Sequence, residues 1–446
     1  MACQDYTDDI EDNGEYIDDI EDNGEYTDDI EDNGEYTPPV HATRTVLVYM
    51  AGENDLTSNG SYRFLQSDLQ EIIEGSELLA DDQRLFVFVD SLNTNKQAAG
   101  TPYIIEVHGG KSYMKHEYEQ DFYSCDPARF QEILQRVVAM APSDSYGLVL
   151  WGHASGWAVT TDQIDAARRI TRAYGRDDGK DGGEQDKGQR WMNITQMAKA
   201  LEEVPKLEFI FADCCNMMCA EVGYELREAT NYLIGSPAEI PGNGAPYDMI
   251  IPYLYKEGDE LYRGIIDTYF DDYTRAYQYD WGLKGHSVPL SVIDTRHIEQ
   301  LAEETAKVLD KFNGGYPQYP KYPNLAADSV AFYWHYDVPI MYDMRAFIKK
   351  HVNDEDFEQW DKAYQEAVPY YRMSLKWMTI YDNLNYAFRT FSRDMSRYGC
   401  VSMFIPKNTS IYFNGTFKYN KTYNDYGWNR VIDWSRFGWT DDVTYQ

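Results

Sequence analysis

The chain has 446 residues, which is enough for one large domain or two ordinary ones and for a substantial hydrophobic core. It carries 75 acidic against 40 basic residues, a formal net charge of −35, and its Lys and Arg residues nowhere cluster densely enough to follow a phosphate backbone, which argues against a nucleic-acid partner. No apolar run approaches the roughly 18 to 20 residues that a membrane helix needs, so any attachment to a membrane would have to be covalent.

Residues 1–40 form an acidic leader. A decamer of the form Y-T/I-D-D-I-E-D-N-G-E runs three times from Tyr6 to Glu35, and each copy carries five carboxylates and no basic residue. So much like charge with so little apolar surface predicts a disordered, self-repelling spacer. The acidic spacing resembles the opening of an EF-hand calcium loop, but position twelve of that loop would fall on Ile20 instead of a bidentate Glu. Only loose divalent binding, with calcium as a candidate ion, stays open for the leader.

The first residues, Met1-Ala2-Cys3, resemble a bacterial lipoprotein whose signal peptide has been removed, with Cys3 as the lipidated residue. The acidic run behind Cys3 also resembles the export tag of surface lipoproteins in Bacteroides-like bacteria. We therefore expect an exported protein at the bacterial cell surface or in the periplasm, with a lipid anchor to a bacterial membrane at Cys3. The alternative is an incidental thiol.

Between residues 45 and 235, short apolar runs rich in Val, Ile and Phe alternate with longer amphipathic stretches. The apolar runs predict strands, and the amphipathic stretches predict helices. Strands are predicted at 45–50, 85–90, 146–151, 207–212 and 232–235, helices at 62–74, 127–140, 193–204 and 217–228, and a hairpin at 103–118. This alternation predicts an α/β fold with a mostly parallel sheet sandwiched by helices, whose sites lie beyond the carboxyl ends of the strands.

The pattern changes near residue 296. Helices are predicted at 296–312, 340–351 and 355–371, and strands at 374–380 and 400–405. We interpret this part as a smaller α+β portion. The predicted organisation is therefore the leader 1–40, an α/β domain over 41–295 and a C-terminal α+β domain over 296–446.

Two residues at predicted strand ends can carry chemistry. Cys215 follows the fourth strand, near the predicted start of the helix 217–228, and His153 follows the third strand beside a glycine. A helix N-terminus and an imidazole both make a thiol a better nucleophile. Because the carboxyl ends of parallel strands meet at one edge, we expect the two side chains to lie close together. The residues alone also allow a buried thiol beside a hydrogen-bonded histidine.

Several segments together resemble the clostripain family of cysteine peptidases, which are relatives of caspases, gingipains and legumain. They are V-Y-M-A-G-E-N-D-L at 48–56, W-G-H-A-S-G-W at 151–157, D-C-C-N-M at 213–217 and S-P-A-E-I-P-G-N-G-A-P-Y at 236–247. The resemblance implies a caspase-like fold and a cysteine endopeptidase that cleaves proteins or peptides after Arg or Lys. It places the family's histidine on His153 and its nucleophile on Cys215.

The resemblance also implies supporting roles. The backbone N–H groups of Ala154 and Cys215 would hold the oxyanion, and Asp213 would bind a basic P1 side chain. Asn54 and Asp55 would border the substrate cleft. Helix capping is the alternative role for Asp213 and for these two residues. Ala154 stands where the family has glycine, and alanine does not tolerate every backbone angle that glycine does.

Family members are often activated by cleavage between the His and Cys segments. The loop 161–190 lies between them and holds seven basic residues among Gly and Asp, so it is a candidate self-cleavage site. We expect a monomer that requires no cofactor.

Two other functions stay open. The protein could be a catalytically weakened or inactive surface lipoprotein that acts as a binding or scaffold protein, with Ala154 as a sign of decay. Alternatively, a metal could bind to His153, Asp213, Cys214, Cys215 and Cys219. Adjacent cysteines fit tetrahedral geometry poorly, so we expect no metal there.

Overall fold

The computed structural model describes residues 36–57, 62–92, 100–157, 173–179, 189–280, 282–312, 330–335, 339–381, 385–389, 391, 393–405 and 426–434. Cys3 and the leader repeats lie outside the described residues, and so does most of the predicted self-cleavage loop 161–190. Within the described ranges, no helix is both long enough and apolar enough to cross a membrane.

Strands and helices alternate through the first half of the chain. The described strands are β1 Ala42–Gly52, β2 Gln83–Ser91, β3 Tyr103–His108, β4 Lys111–Glu117, β5 Ser143–Gly152, β6 Tyr174–Asp177, β7 Arg190–Met192, β8 Leu207–Asp213, β9 Thr230–Gly235, β10 Leu290–Asp294, β11 Phe332–His335, β12 Pro339–Asp343, β13 Tyr370–Arg372, β14 Trp377–Tyr381, β15 Asn385–Arg389 and β16 Ser402–Met403. The described helices are α1 Phe64–Gly75, α2 Pro127–Met140, α3 Ile194–Leu201, α4 Ala220–Glu225, α5 Tyr247–Ile250, α6 Gly258–Tyr277, α7 Ile298–Leu309, α8 Met344–His351, α9 Asp354–Ala367 and α10 Gly427–Ile432.

Nine of the described strands form one sheet in the order β13-β10-β9-β8-β5-β1-β2-β3-β4. The central strands β2, β1, β5, β8 and β9 are parallel, and the strands on both sides of them pair antiparallel. Met50 of β1 lies opposite Trp151 of β5, which in turn lies opposite Asp213 of β8. The segments that follow these three strands therefore leave the sheet at one edge.

Helices cover both faces of this sheet. Val48 of β1 lies in a core with Leu69 of α1 and Ile265 of α6, while the next residue, Tyr49, lies in a second core with Phe130 of α2. Strands that are buried on both faces read as continuous apolar runs, which is why the central strands were predictable from sequence. The predicted α/β sandwich is confirmed.

The C-terminal part is an α+β portion, as predicted, with β11, β12 and β16 in a small sheet and β14 paired with β15. It is not separated from the first part, because β13 pairs with β10 of the large sheet. The core on the α2 side of that sheet also continues from Leu47 to Trp434. The division of the chain into 41–295 and 296–446 stays a prediction.

The single helix predicted over 340–351 is wrong in its first part. Residues Pro339–Asp343 form strand β12, and the helix begins only at Met344. The Asp343 carboxylate accepts a hydrogen bond from the backbone N–H of Ala346 at 2.8 Å and so caps the helix there.

Asp343 also ties together three segments of the C-terminal part. Its buried carboxylate accepts hydrogen bonds from the hydroxyl of Tyr333 and from the backbone N–H groups of Gly399 and Cys400, each of the latter at 3.0 Å. Burial raises the pKa of Asp343, and these donors oppose that shift.

We predict that Asp343→Ala lowers the free energy of unfolding by about 3 kcal/mol, because it leaves several buried donors without an acceptor. Urea denaturation followed by circular dichroism measures the change. Glu358→Ala on the exposed face of α9 is the control and should change stability by less than about 0.5 kcal/mol. Similar losses in the two variants would contradict the role of Asp343.

Candidate active site

His153 lies directly after β5, at the edge where β1 and β8 also end. Gly152 makes the exit from the strand: its φ is +138°, and a Cβ there would lie 2.9 Å from the carbonyl oxygen of Ala51. The imidazole is almost fully buried, and its Nε2 lies 2.8 Å from Oδ1 of Asp55. Within the described part of the chain, its Nδ1 has no hydrogen-bond partner. The bond to Asp55 assigns the proton to Nε2, which leaves the Nδ1 lone pair for another group.

Asp55 is itself held by a cation. Nη1 of Arg176 lies 2.7 Å from Oδ1 of Asp55, and the same guanidinium makes two bonds of 2.7 and 2.8 Å to Asp178. Burial acts to raise the pKa of Asp55, but the interactions with His153, including its hydrogen bond, and the charge of Arg176 outweigh burial and hold this pKa well below its usual range. Asp55 therefore presents an ionised carboxylate to the imidazole at any ordinary pH.

Cys215 lies two residues past the end of β8, in a sharply turned segment. Asn216 has a left-handed φ of 61°, its N–H donates to the Ala238 carbonyl, and its side-chain amide donates to the Pro237 carbonyl, both at 2.9 Å. The backbone N–H of Ile240 points at Sγ of Cys215 from 3.4 Å. The turn after β8 is thus fixed by the segment after β9.

The helix predicted over 217–228 is shorter than expected. It spans Ala220–Glu225 with Cys219 at its N-cap, so Cys215 does not lie at a helix N-terminus and that expected source of thiol activation is wrong. The same bounds rule out the capping role for Asp213, which lies six residues before the N-cap.

A close approach of two backbones brings the His and Cys segments together. Gly156 has a φ of +56°, and a Cβ on it would lie 2.4 Å from the carbonyl oxygen of Asn216 and 2.8 Å from Sγ of Cys219. Both the backbone angle and the space therefore require glycine at this position.

Ala154 occupies a backbone conformation that alanine adopts without strain, because its φ is not in the left-handed region. It forms an isolated bridge with β6 in which Ser155 N–H donates to Ala173 and Gly175 N–H donates to the carbonyl of His153, both at 2.9 Å. The N–H of Ala154 takes no part in this bridge. Alanine in place of the family's glycine therefore leaves the backbone at residue 154 unstrained.

Asp213 ends β8 and is nearly fully buried. Its Oδ2 accepts hydrogen bonds from Ala245 N–H at 3.0 Å and from the Tyr247 hydroxyl at 2.8 Å, and its Oδ1 accepts one from the Tyr269 hydroxyl at 3.0 Å. Burial raises the pKa of Asp213, and these three donors oppose the shift. A carboxylate has about four acceptor positions, so Oδ1 keeps capacity for one more donor.

A second buried carboxylate, Asp68 of α1, lies beside Asp213. The indole N–H of Trp151 donates to Oδ2 of Asp68 at 2.6 Å. A Cβ on Gly244 would lie 2.8 Å from an oxygen of each carboxylate, so both face the same glycine. Burial, followed by the charge of Asp213, raises the pKa of Asp68 well above its usual value. The charge on Asp213 therefore disfavours ionisation of Asp68.

These residues line one cleft. It is formed by Leu56, Trp151, Gly152, His153, Asp213, Cys215, Ile240, Pro241, Gly242 and Gly244. The cleft encloses about 20 Å³, so it is nearly closed in this structure, and its walls must move apart for a substrate side chain to enter.

Asn54 was expected at the border of the cleft, and the structure places it elsewhere. Its amide donates to the carbonyl oxygens of Ala51 at 3.1 Å and Arg176 at 2.8 Å, and its Oδ1 accepts from Leu56 N–H at 2.9 Å. The side chain is fully buried and its bonds all go to backbone groups, so it supports the fold and is not available to a substrate.

Two of the residues that shape the site were missed in the sequence analysis. Asp68 had a readable signal, because an acid sits on the apolar stripe of α1 between Leu65 and Leu69. Arg176 had none, since it is one of seven basic residues in the loop 161–190 and its role depends on the pairing of β6 with distant segments.

The neighbouring cysteines do not compete as nucleophiles. Burial raises the pKa of Cys214 and of Cys219 well above the usual thiol value, so both stay protonated near neutral pH. The alternative metal set is not assembled either: among the described residues, no three of its members lie close enough together to hold an ion.

Comparison with known proteins points to one family. The sequence profile of the clostripain family (Peptidase_C11) matches residues 48–439, which is most of the chain. No curated protein matches the chain with significance.

Solved structures show the same architecture. A secreted C11 cysteine protease from Bacteroides thetaiotaomicron, in complex with an irreversible peptide inhibitor, has a TM-score of 0.70 at 25% identity and covers 89% of this chain and 100% of its own. An inactive zymogen C11 protease from Parabacteroides distasonis has a TM-score of 0.67 at 22% identity, covering 89% of this chain and 99% of its own.

The family profile spans both the His segment and the Cys segment, and the first of these structures aligns over its whole length. The TM-score of 0.70 shows that this neighbour shares the α/β fold described above. The chain therefore belongs to the clostripain family and is a cysteine peptidase.

Proposed function

We propose that the protein is an endopeptidase that cleaves after Arg or Lys, with Cys215 as nucleophile, His153 as acid and base, and Asp55 as the group that orients His153. One observation carries this proposal. The imidazole is bonded through Nε2 to an ionised carboxylate, keeps Nδ1 without a partner in the described chain, and lines one cleft with Cys215 and Asp213.

The chemistry is acyl transfer. His153 Nδ1 takes the thiol proton as the Cys215 sulfur attacks the scissile carbonyl carbon and forms a C–S bond, and the carbonyl oxygen becomes an oxyanion. Collapse of this intermediate breaks the C–N bond, and the imidazolium gives its proton to the leaving amine. Water, deprotonated by the imidazole, then attacks the thioester, which releases the carboxylic acid and restores the thiol. The Nε2–H donated to Asp55 keeps the ring in the required tautomer throughout.

The oxyanion is assigned to the backbone N–H groups of Ala154 and Cys215. The unstrained backbone at Ala154 and the absence of its N–H from the bridge with β6 support this assignment. They also weaken the alternative of an inactive scaffold protein, which depended on alanine as a sign of decay.

The specificity for Arg or Lys is assigned to Asp213, with Asp68 beside it. A cationic P1 side chain that enters the cleft meets a buried carboxylate with one free acceptor position, which gives charge-assisted recognition in a low-dielectric site. The irreversible peptide inhibitor in complex with the Bacteroides thetaiotaomicron protease supports a peptide as the ligand of this protein.

Self-activation by cleavage in the loop 161–190 is also part of the proposal. Arg176 is not the cleaved residue, because it is buried and bonded to Asp55 and Asp178. Arg190 is exposed at the start of β7 and is the candidate that lies within the described residues. Export, lipid attachment at Cys3 and a monomeric state stay predictions.

We predict that an arginyl chloromethylketone labels Cys215 in reducing buffer, as mapped by mass spectrometry, and that Cys215→Ala neither reacts nor hydrolyses arginyl reporter peptides. Cys214→Ala is the matched control, because it removes the adjacent buried thiol. It should keep both labelling and hydrolysis. A label on Cys214 would show that Cys214, and not Cys215, is the nucleophile.

We predict that Asp55→Asn lowers kcat by roughly 10²-fold or more with little change in KM, because the amide favours the wrong imidazole tautomer while the cleft is untouched. Steady-state kinetics with an arginyl peptide measures both constants. Asp126→Asn makes the same chemical change at the N-cap of α2, where Asn caps as well as Asp, and should leave kcat unaltered. A kcat within threefold of wild type in Asp55→Asn would exclude the orienting role.

We predict that Asp213→Asn lowers kcat/KM for Arg and Lys at P1 by roughly 10²-fold or more, since it removes the charge that faces the cation. Asp68→Asn should cost less than about tenfold, because burial and the charge of Asp213 raise the pKa of Asp68 and so already favour its neutral form. Peptides with a neutral P1 residue are the control for both variants. An equal loss for neutral and basic peptides would show damage to the fold instead.

A further inference from the structure

The short pair of strands β6 and β7 places an aromatic side chain beside His153. Tyr174 of β6 lies opposite Met192 of β7, and both are fully buried in the core that also holds Ala154. Successive side chains of an extended chain point to opposite faces, so Trp191 faces away from that core, as His153 does before Ala154. The rings of His153 and Trp191 accordingly lie together, with their centroids 6.3 Å apart and their planes at 46°.

Trp191 is held on a fixed element and offers an apolar surface. Its indole N–H donates to Oε1 of Gln189 at 3.1 Å, and the side chain is partly exposed. The strand pair that carries it is tied to the site, because the N–H of Gly175 donates to the carbonyl of His153 at 2.9 Å. An indole brings a large contact area at a low entropy cost, since only two side-chain torsions have to be fixed. Trp191 is therefore suited to contact a ligand next to the imidazole.

The chemistry decides which part of a substrate lies there. Under the proposed function the P1 side chain enters the cleft that holds Asp213, and Trp191 is not one of the described residues that line this cleft. His153 gives its proton to the leaving amine, which belongs to P1′, the residue after the scissile bond. Proton transfer requires that this amine lie within roughly 3 Å of the imidazole, so the P1′ residue begins there. Its side chain then lies within reach of an indole whose centroid is 6.3 Å from that of the imidazole.

We propose that Trp191 forms a wall of the S1′ subsite and that it selects substrates with an apolar or aromatic P1′ residue. This inference rests on the proposed function, because it needs the scissile bond to lie between Cys215 and His153. The residue is specificity-determining and takes no part in the bond-making steps.

The preference for apolar P1′ residues follows from the surroundings of the indole. An apolar side chain that packs on the ring of Trp191 removes apolar surface of both groups from water, and an aromatic side chain adds a ring–ring contact. Glycine at P1′ offers no side chain for this contact. An acidic P1′ residue would lie near the ionised carboxylate of Asp55, which bonds the same imidazole, and the like charges would repel each other.

Two internally quenched peptides that differ only at P1′, with Arg-Leu and Arg-Gly at the scissile bond, test the subsite. Trp191→Ala should lower kcat/KM for the Arg-Leu peptide by about tenfold and for the Arg-Gly peptide by less than about threefold. Trp191→Phe keeps an aromatic wall and should retain at least about a third of the wild-type value for Arg-Leu. Intact-mass analysis ensures that the compared proteins carry the same cuts, because Trp191 would itself be the P1′ residue of a cut after Arg190.

Two controls separate the subsite from a general loss of activity. An arginyl chloromethylketone has no P1′ residue, so the rate at which it labels Cys215 should change by less than about twofold in Trp191→Ala. Tyr279→Ala removes an exposed aromatic side chain that follows α6, and it should alter neither the cleavage of the two peptides nor the labelling rate.

Three results would overturn the inference. An equal loss on both peptides together with slower labelling would show that Trp191 only supports the position of His153. A loss that follows the P2 residue, in a second pair of peptides that differ only there, would place the indole in the S2 subsite instead. Unchanged cleavage of both peptides by Trp191→Ala would remove the subsite and leave the proposed function intact, whereas a wild-type protein that cleaves neither peptide and takes no label would overturn the proposed function and the subsite with it.

Discussion

The hydrogen bond between Asp55 and His153 joins the ends of two adjacent parallel strands, and most of the candidate site depends on it. The imidazole is almost fully buried, so its Nε2 proton needs an acceptor, and Asp55 supplies one. Asp55 stays ionised because its interactions with His153 and the charge of Arg176 outweigh the effect of burial on its pKa. The orientation of the imidazole therefore depends on β6, a short strand that comes later in the chain than His153.

The cysteine is held in a different way. Hydrogen bonds to backbone groups of residues 237–240 hold the segment of Cys215 in place. The close contact of Gly156 with the turn at Asn216 also holds it. A helix N-terminus would lower the pKa of a thiol without help, but α4 begins five residues after Cys215. In the proposed mechanism the imidazole must then take the thiol proton, which makes the pair interdependent. This is the reason why the orientation of His153 matters so much for the rate.

The central sheet and the position of the reacting residues could be predicted from the sequence. Apolar runs with clear ends mark β1, β5 and β8, and the parallel rule puts Asp55, His153 and Cys215 at one edge. Features that depend on contacts between distant segments could not be predicted from the sequence. The bridge between β6 and Ala154 leaves no periodic pattern in the sequence. Nothing therefore distinguished Arg176 from the other basic residues in 161–190. The late start of α4 follows from the left-handed turn at Asn216, a position that helix periodicity does not register.

Two groups of buried acidic side chains lie near the candidate site in the described chain. Asp68 and Asp213 face the cleft, while Glu53, Asp90 and Asp177 lie beside the segments that hold Asp55. In each group burial raises the pKa of at least one carboxyl group and so favours its neutral form. Under the proposed function, a substrate guanidinium or ammonium would enter the first group and would displace protons as it binds. Substrate binding would then tighten as the pH rises, because fewer protons have to be displaced. The protonation of the buried carboxylates is therefore a variable on which substrate recognition depends.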